Sequence, residues 1–564
     1  MFLLLAGAVA LAEPTQCSGP SSSSTADYNW PGRVEKGYFP VLVDIENRGS
    51  EDQDFTLRFE SSYGYNVHIE QVVPLKRGER REVEVLLPAF VDSSPNFSMQ
   101  VLLDNGISDC YSSSIGPYDV ARGSQVVLLV QDREPEAGEL ERWVSELGIG
   151  DDQLAIISPE QLAQSWGAYS SVDLVLVDTR AGLPSDAALA PLMRWVRTGG
   201  AVVFRGPGVK TLAQSRDQLA PYAEERHALR PTLERRLVKG LDGFAVGGGV
   251  MVLQEEEMAA DRLLESATLV AQDVPQQRWI PDSTTTFRVA RPQIPGVGVI
   301  PSGRFALLLF GVGMLLGPIN VVLIRGLKKS AGMLLTTPIL ATLSAGGILA
   351  YGVASTGLGA QSASYSITYL DQAAQTATVQ EVRQIYLGAA IGGGLRPGAG
   401  FYDFPSRLDY DESFEIRIDD EGRRVSGALL PSRVATTQVL VGERSSRLSL
   451  SLSGDEIGNN LDARLDSVVL RAPDGSYWGL NAPLKAGKSA TLVPMDNPEE
   501  QLAAVWASTM SLGGGGHQYP ASYQDMAPGS YVARLDHSPF LDDEGLKLDE
   551  RAGEHRVVGL LELP

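Results

Sequence analysis

The residues able to do chemistry are few and scattered. The chain has two cysteines, Cys17 and Cys110, and five histidines in 564 residues. In an oxidising compartment the two thiols can pair as a disulfide tying the N-terminal tail to the first domain, or both stay free. His517, His537 and His555 are too widely spaced for a zinc motif, and His227 lies in the charged stretch Glu224-Glu225-Arg226-His227. Asp409-Tyr410-Asp411-Glu412-Ser413 offers oxygen ligands but lacks the central glycine and closing glutamate of a calcium loop. Pro539-Phe540-Leu541-Asp542-Asp543-Glu544 reads as a turn. Asp178 ends an apolar run, where α/β sheets place ligands, but is read in preference as capping the turn before Gly182. Gly206-Pro207-Gly208 follows a buried strand without a Walker or dinucleotide pattern. These patterns assign no catalytic, cofactor-binding or metal-binding residue, and no cofactor is expected.

Bulk composition narrows the partners. The net charge of −22 excludes nucleic acid, which requires clustered Lys and Arg. Phe2–Leu11 is apolar and Ala10-Leu11-Ala12 supplies small residues, the pattern of a signal peptide over residues 1–12. Phe305–Ile324 and Met333–Ala354 carry no charge, and each is long enough to cover the ~30 Å of a hydrocarbon core. Between them lie Arg325, Lys328 and Lys329 with no acid, so the positive-inside rule places this turn in the cytoplasm. The expectation is a two-pass inner-membrane protein with a transmembrane hairpin over 304–354 and both large portions extracytoplasmic, in the periplasm. Asn320 and the small residues Gly313 and Gly317 are suited to helix contact.

The remaining elements follow from period. After a tail (13–27), the stretches Phe39–Glu46, Phe55–Glu60, Asn66–Val73, Arg81–Leu87 and Phe97–Leu103 alternate apolar and polar, which predicts an immunoglobulin-like sandwich over 28–121. From 122 to 273 the pattern becomes β-α-β: Val126–Val130, Leu154–Ile157, Leu174–Val177, Ala201–Phe204 and Val250–Leu253 are apolar runs. Helical segments at Glu136–Leu147, from Pro159 (a polar one) and at Ser185–Arg197 separate them, predicting a three-layer parallel α/β domain. A proline-rich linker (274–303) leads to the hairpin. A β-rich region (355–564) follows, with strands at Ser362–Leu370, Thr376–Tyr386, Phe414–Ile418, Ser467–Arg471, Ser530–Leu535 and His555–Leu561 and a short helix at Glu499–Met510. The predicted class is thus multidomain α/β plus all-β.

The run Val172–Asp178 (VDLVLVD) followed by Pro191–Gly206 (PLMRWVRTGGAVVFRG) resembles the class I glutamine-amidotransferase-like fold. Active members carry a Cys on a Gly-x-Cys-x-Gly elbow. This chain has no Cys after Cys110 and no Gly-x-Ser-x-Gly in this domain, so the resemblance implies a degenerate, non-catalytic unit. Gly317-Pro318-Ile319-Asn320, the basic turn Arg325–Lys329 and Pro338 resemble a family of bacterial envelope proteins that accompany von Willebrand A-domain proteins and MoxR-type ATPases. That resemblance implies membership of a cell-envelope assembly.

The leading functional expectation is a non-enzymatic, membrane-anchored envelope protein whose outer domains bind other proteins; a small-molecule ligand is not expected. An extracytoplasmic hydrolase-like enzyme and a glycan or small-ligand binding module are the alternatives.

Overall fold

Alternating apolar residues build the first sheets. Phe55, Leu57 and Phe59 are buried while their neighbours are not, and Val41, Val43 and Ile45 repeat the pattern. In this computed structural model the strands Thr15–Ser18, Ser22–Asp27, Tyr38–Asn47 and Arg80–Pro88 form an antiparallel sheet in that order. A second sheet runs Gly422–Gly427, Ser413–Asp419, Asn66–Leu75, Gln53–Ser61, Phe97–Leu102, Ser108–Ile115. Its first two strands come from much later in the chain than the other four. Ser413–Asp419 pairs in parallel with Asn66–Gln71, and Phe414 and Ile416 enter the common core. The structure describes residues 14–561 apart from 35–36, 62–65, 90–95, 118, 121–125, 133–140, 142–143, 146–148, 181, 221–241, 255–291, 298–301, 327–332, 357–358, 390–393, 406–412, 428–430, 507–525, 527 and 542–546.

Cys17 and Cys110 are joined in a disulfide. It links the edge strands of the two sheets, and the neighbouring Asp109 carboxylate accepts hydrogen bonds from the Ser22 backbone N–H at 2.8 Å and the Ser22 hydroxyl at 2.6 Å.

A third sheet has the order Leu154–Ile157, Val127–Val130, Leu174–Asp178, Ala201–Arg205, Gly249–Gln254, Asp242–Val246. All neighbours are parallel except the last pair. The helix Asp186–Arg197 starts at Ser185, whose hydroxyl accepts from the Ala188 N–H, and stops at Gly199, whose φ is 120°. A nine-stranded sheet forms the other half of the molecule. Its order is Phe401–Pro405, Ala435–Ser445, Thr376–Leu387, Ala360–Asp371, Leu548–Leu560, Ser530–Leu535, Leu465–Arg471, Tyr477–Gly479, Val493–Pro494.

The described residues are mostly β, with 48% of them in strands and 20% in helix, which corrects the expected multidomain α/β plus all-β class. A three-layer α/β domain requires helices covering both faces of its sheet. The helices described in full between the strands of the parallel sheet are one of twelve residues, Asp186–Arg197, and one of six, Val209–Gln214. The connections Asp151–Gln153, Pro159–Gln161 and Trp166–Ser171 are short 3-10 turns. In place of the helix expected from Pro159 stand the turns Pro159–Gln161 and Trp166–Ser171, the second buried along its whole length. The segment Glu136–Leu147 lies mostly outside the described residues.

The transmembrane hairpin is also corrected. Pro318 has no N–H, and the first apolar run breaks there into Ser302–Met314, a wide π turn Leu315–Ile319, and Asn320–Gly326. Its α-helical pieces of 13 and 7 residues rise only ~20 and ~10 Å. Met333–Thr356 contains Pro338, and among the described residues no helix is long and apolar enough to cross a membrane. The two-pass inner-membrane localisation and the membrane keywords fall with it. Asn320 does bridge the segments: its Nδ2 donates to Thr337 Oγ1 at 3.0 Å and its Oδ1 accepts from the Thr336 hydroxyl at 2.9 Å.

The three sheet systems meet at the turn Trp166–Ser171. Trp30 Nε1 donates to Ser171 Oγ at 3.1 Å and Tyr38 N to Ser170 Oγ at 2.8 Å, from the N-terminal side. Trp166 Nε1 donates to the Gly400 carbonyl at 2.8 Å, and the hydroxyls of Ser165 and Tyr402 bond, from the C-terminal side. Glu84 accepts from the Gln164 N–H at 2.6 Å beside this turn. Burial pushes its carboxyl up to about 7, against the pull of the Gln164 and Ser165 amides. The folded protein therefore holds a proton here between pH 4.5, the ordinary carboxyl value, and about 7, whereas the unfolded chain does not. Stability from this group is complete below pH 4.5 and is lost as pH rises through 7. Chemical unfolding measured across that window is expected to show this decline in the wild type and a flatter profile in Glu84→Gln; parallel profiles would contradict it.

Candidate functional site

Two polar clusters stand out from the apolar frame. The first lies along the carboxyl edge of the parallel sheet. Register pairs Val130 with Val177, Asp178 with Arg205, and Arg205 with Gln254. Gln131, Asp178, Arg205 and Gln254 thus make one row across four adjacent strands, and Gln131, Asp178 and Gln254 are buried. The chain leaves Val127–Val130 to form the strand on one side, then crosses to Leu174–Asp178 on the other. This reversal is where open α/β sheets gain a crevice.

Asp178 is held by cations. Its Oδ1 accepts from the Arg180 backbone N–H at 3.1 Å and Arg180 Nε at 3.0 Å, and its Oδ2 from Arg205 Nη2 at 3.3 Å. Burial alone raises the Asp178 carboxyl, but these bonds and charges outweigh it and hold the group below the usual carboxylate range. The turn role foreseen for Asp178 is present, since Arg180 N–H is capped and Gly182 N bonds the Thr179 carbonyl at 2.9 Å. Gly206 has φ 145°, and a Cβ there would stand 2.4 Å from Thr179 Oγ1, so the two loops lie too close for any side chain. Gly208 precedes only the six-residue helix Val209–Gln214.

The second cluster lies on the nine-stranded sheet. Ser366 Oγ is 2.8 Å from His555 Nδ1, and His555 Nε2 is 3.1 Å from Glu550 Oε1, which also accepts from the Ser364 hydroxyl. Residues five apart on a regular strand face opposite ways. Here the ladder pairs Ser362 with Glu550 but Ala363 with Ala552, so Arg551 is an extra residue. The bulge turns Glu550 and His555 to the same face. Bonds from His555 and Ser364 overcome the burial that would raise Glu550, so its carboxyl titrates below the usual range. An ionised Glu550 fixes the His555 proton on Nε2 and leaves Nδ1 to accept from Ser366. This is the carboxylate–imidazole–hydroxyl order of an activated serine, and Ser366 is 0% exposed. A cleft of about 360 Å³ lies elsewhere, lined by Gln372, Gln375 and Ser446–Leu452.

The other residues marked in the sequence do not converge. His537 is exposed and bonds Asp536 at 2.8 Å, while Phe540 enters the core. His227, His517, Asp409 and Asp411 lie outside the described residues. Among the described residues no group of three or more His, Cys, Asp or Glu is placed to hold a metal ion. The Ser366–His555–Glu550 relay was not foreseen, because a bulge has no periodic signal; Gly553 is its one local mark.

No family model matches the chain, and no curated protein matches it. Among solved structures, an exo-chitosanase of Amycolatopsis orientalis aligns with 36% of this chain and 29% of its own, at 13% identity and a TM-score of 0.15. The chain thus spans 29% of the exo-chitosanase's length. Native alpha-2-macroglobulin of Escherichia coli, from domain MG7 to the C-terminus, aligns over 85% of this chain and 99% of its own at 10% identity and a TM-score of 0.14. Scores this low support no inference about fold or activity.

A Cβ on Gly553 would stand 2.5 Å from His555 Nε2 and 2.8 Å from Glu550 Oε1. Gly553→Ala is therefore expected to part this pair and lower the melting temperature, at a cost of about 1–3 kcal/mol for the buried polar group left unpaired. A histidine NMR signal and melting temperature unchanged by the substitution would show that the relay is not formed.

Proposed function

We propose that this chain is a non-catalytic protein-binding scaffold that presents its β sheets to partners in an assembly. The observation that carries the reading is the buried turn Trp166–Ser171, which holds N-terminal, parallel and C-terminal sheets in one fixed relation. A scaffold gains from such preorganisation, because little ordering entropy is left to lose on binding. The polar groups with catalytic character support the same reading. Asp178 is occupied by arginines, and Ser366 is enclosed. The Gly317-Pro318-Ile319-Asn320 resemblance favours an envelope assembly, with von Willebrand A-domain proteins as the first partners to test.

A hydrolase is the second reading, favoured by the Ser366–His555–Glu550 order alone. It requires an opening that brings substrate to Ser366.

Crosslinking in the native cell, followed by mass spectrometry, is expected to recover the same protein partners repeatedly, with von Willebrand A-domain proteins among them. A chain recovered alone in every preparation contradicts the scaffold. Ester or amide hydrolysis by the purified protein, abolished in Ser366→Ala with the fold intact, would establish the second reading instead.

A further inference from the structure

A small sheet beside the cleft leaves one strand edge open. Leu450–Ser453 pairs with Glu456–Asn459, and that strand with Ser489–Thr491. Among the described residues no strand lies on the outer side of Leu450–Ser453. The Ser449 carbonyl accepts from the Asn460 N–H at 3.0 Å, inside the hairpin. Antiparallel pairing alternates its bonds, so the N–H and C=O of Leu450 and Leu452 point outward. At Leu450 one side chain meets both: Gln372 Oε1 accepts from the N–H at 2.7 Å, and its Nε2 donates to the carbonyl at 3.1 Å. A carboxamide making both bonds fills the place of one peptide group of a neighbouring strand. The cleft of about 360 Å³ opens on this side, lined by Gln372, Gln375 and the whole stretch Ser446–Leu452.

We propose that this edge receives an extended segment of a partner protein as an added strand, with an acidic residue at its Arg447 end. The site rests on the scaffold reading and gives it a docking edge. Sheet edges are normally blunted by charge or proline, whereas Leu448–Ser453 alternates leucine and serine with neither. In strand addition the main-chain bonds supply affinity and the flanking side chains choose the partner. Here the choice falls to Arg447, which is exposed and, among the described residues, in no ion pair. Of the nearby acids, Asp371 caps its own turn, accepting from the Ala374 N–H at 2.9 Å. Asp455 and Glu456 stand at the tip of the hairpin, beyond Ser453. At ~3.4 Å per residue the strand between them and Arg447 is about 13 Å long, more than the ~8 Å screening length of physiological salt. An incoming acid is attracted at one end and repelled at the other, which sets the direction of the segment. A second copy of this chain is disfavoured, because each carries a net charge of −22. Gln372 exchanges its two bonds for two of the same kind when it leaves.

The test uses the full chain and two fluorescent peptides, Asp-Val-Thr-Val-Thr-Val and the same with lysine for aspartate, read by anisotropy. Saturable binding of the acidic peptide below millimolar concentration is expected, with the lysine peptide weaker by about fivefold, the upper end for an exposed ion pair. Arg447→Glu, at an exposed position, should reverse that preference with the fold intact. Gln372→Ala should tighten the acidic peptide by removing the competing carboxamide, whereas a purely structural Gln372 would only lower the melting temperature. Leu452→Pro takes away the outward N–H and leaves the hairpin ladder, and should abolish binding; Arg447→Glu decides the matter if that variant does not fold. A photocrosslinker at Ser451 in the native cell separates this site from the scaffold reading. Partners recovered by general crosslinking but never from Ser451 overturn the edge and leave the scaffold standing. No saturable binding of either peptide, or equal binding of both, also overturns the proposal. So does a dimer in sedimentation that Ser451→Lys dissolves, which assigns the edge to a second copy.

Discussion

One constraint organises the molecule: six consecutive residues in a 3-10 turn, outside any α-helix or strand, are buried where three sheet systems meet. Backbone polar groups removed from water need partners, and a buried loop normally lacks them. Here the 3-10 turn Trp166–Ser171 meets part of the need itself, with Val172 N bonded to the Tyr169 carbonyl at 3.1 Å. The hydroxyls of Ser170 and Ser171 bond the Gly167 and Ala168 carbonyls behind them and receive Tyr38 N and Trp30 Nε1 from the next sheet. Gly167 has no alternative, since a Cβ would lie 2.7 Å from the Tyr402 ring. The turn is thus satisfied only when its neighbours are in place.

Other seams reinforce that dependence. Arg423 lies over the rings of Tyr38 and Tyr402, 4.6 and 4.7 Å from their centres, joining the late hairpin Ser413–Gly427 to both halves. Arg194 and Arg197 pair with the buried Glu443, and Gln380 Nε2 donates to the Thr198 carbonyl at 2.7 Å. A buried ion pair is costly to break because the survivor is stranded. These contacts therefore specify one arrangement of the sheets even where they add little net stability.

Much of the strand placement was legible in the sequence, and for simple reasons. Alternation marked Phe55–Glu60 within the strand Gln53–Ser61, and continuous apolar runs marked Leu154–Ile157 and Leu174–Val177 at their observed positions. Ser185 and Gly199 bounded their helix as capping chemistry requires. Misreadings arose where tertiary context overrides local pattern. Charge-free runs suggested membrane helices, but Pro318 divides the first, and apolar length alone does not make a continuous helix. The stretch from Pro159 was read as a polar helix, whereas it forms the 3-10 turn Pro159–Gln161 and runs on into the buried turn Trp166–Ser171. Ser366 and His555 are nearly 200 residues apart, and only the extra residue Arg551 brings Glu550 to them. Asp178 was visible as a strand-end acid, whereas its arginine partners and the row it joins depend on register across the sheet.

The central claim is that the buried turn makes the three sheet systems one cooperative body. Equilibrium unfolding of the full chain, followed by backbone circular dichroism and by tryptophan fluorescence at Trp30, Trp166 and Trp195, tests it most directly. The account predicts coincident transitions by both probes, with Gly167→Val separating them into two by prying the turn from Tyr402. Two well-separated transitions in the unaltered chain would contradict it.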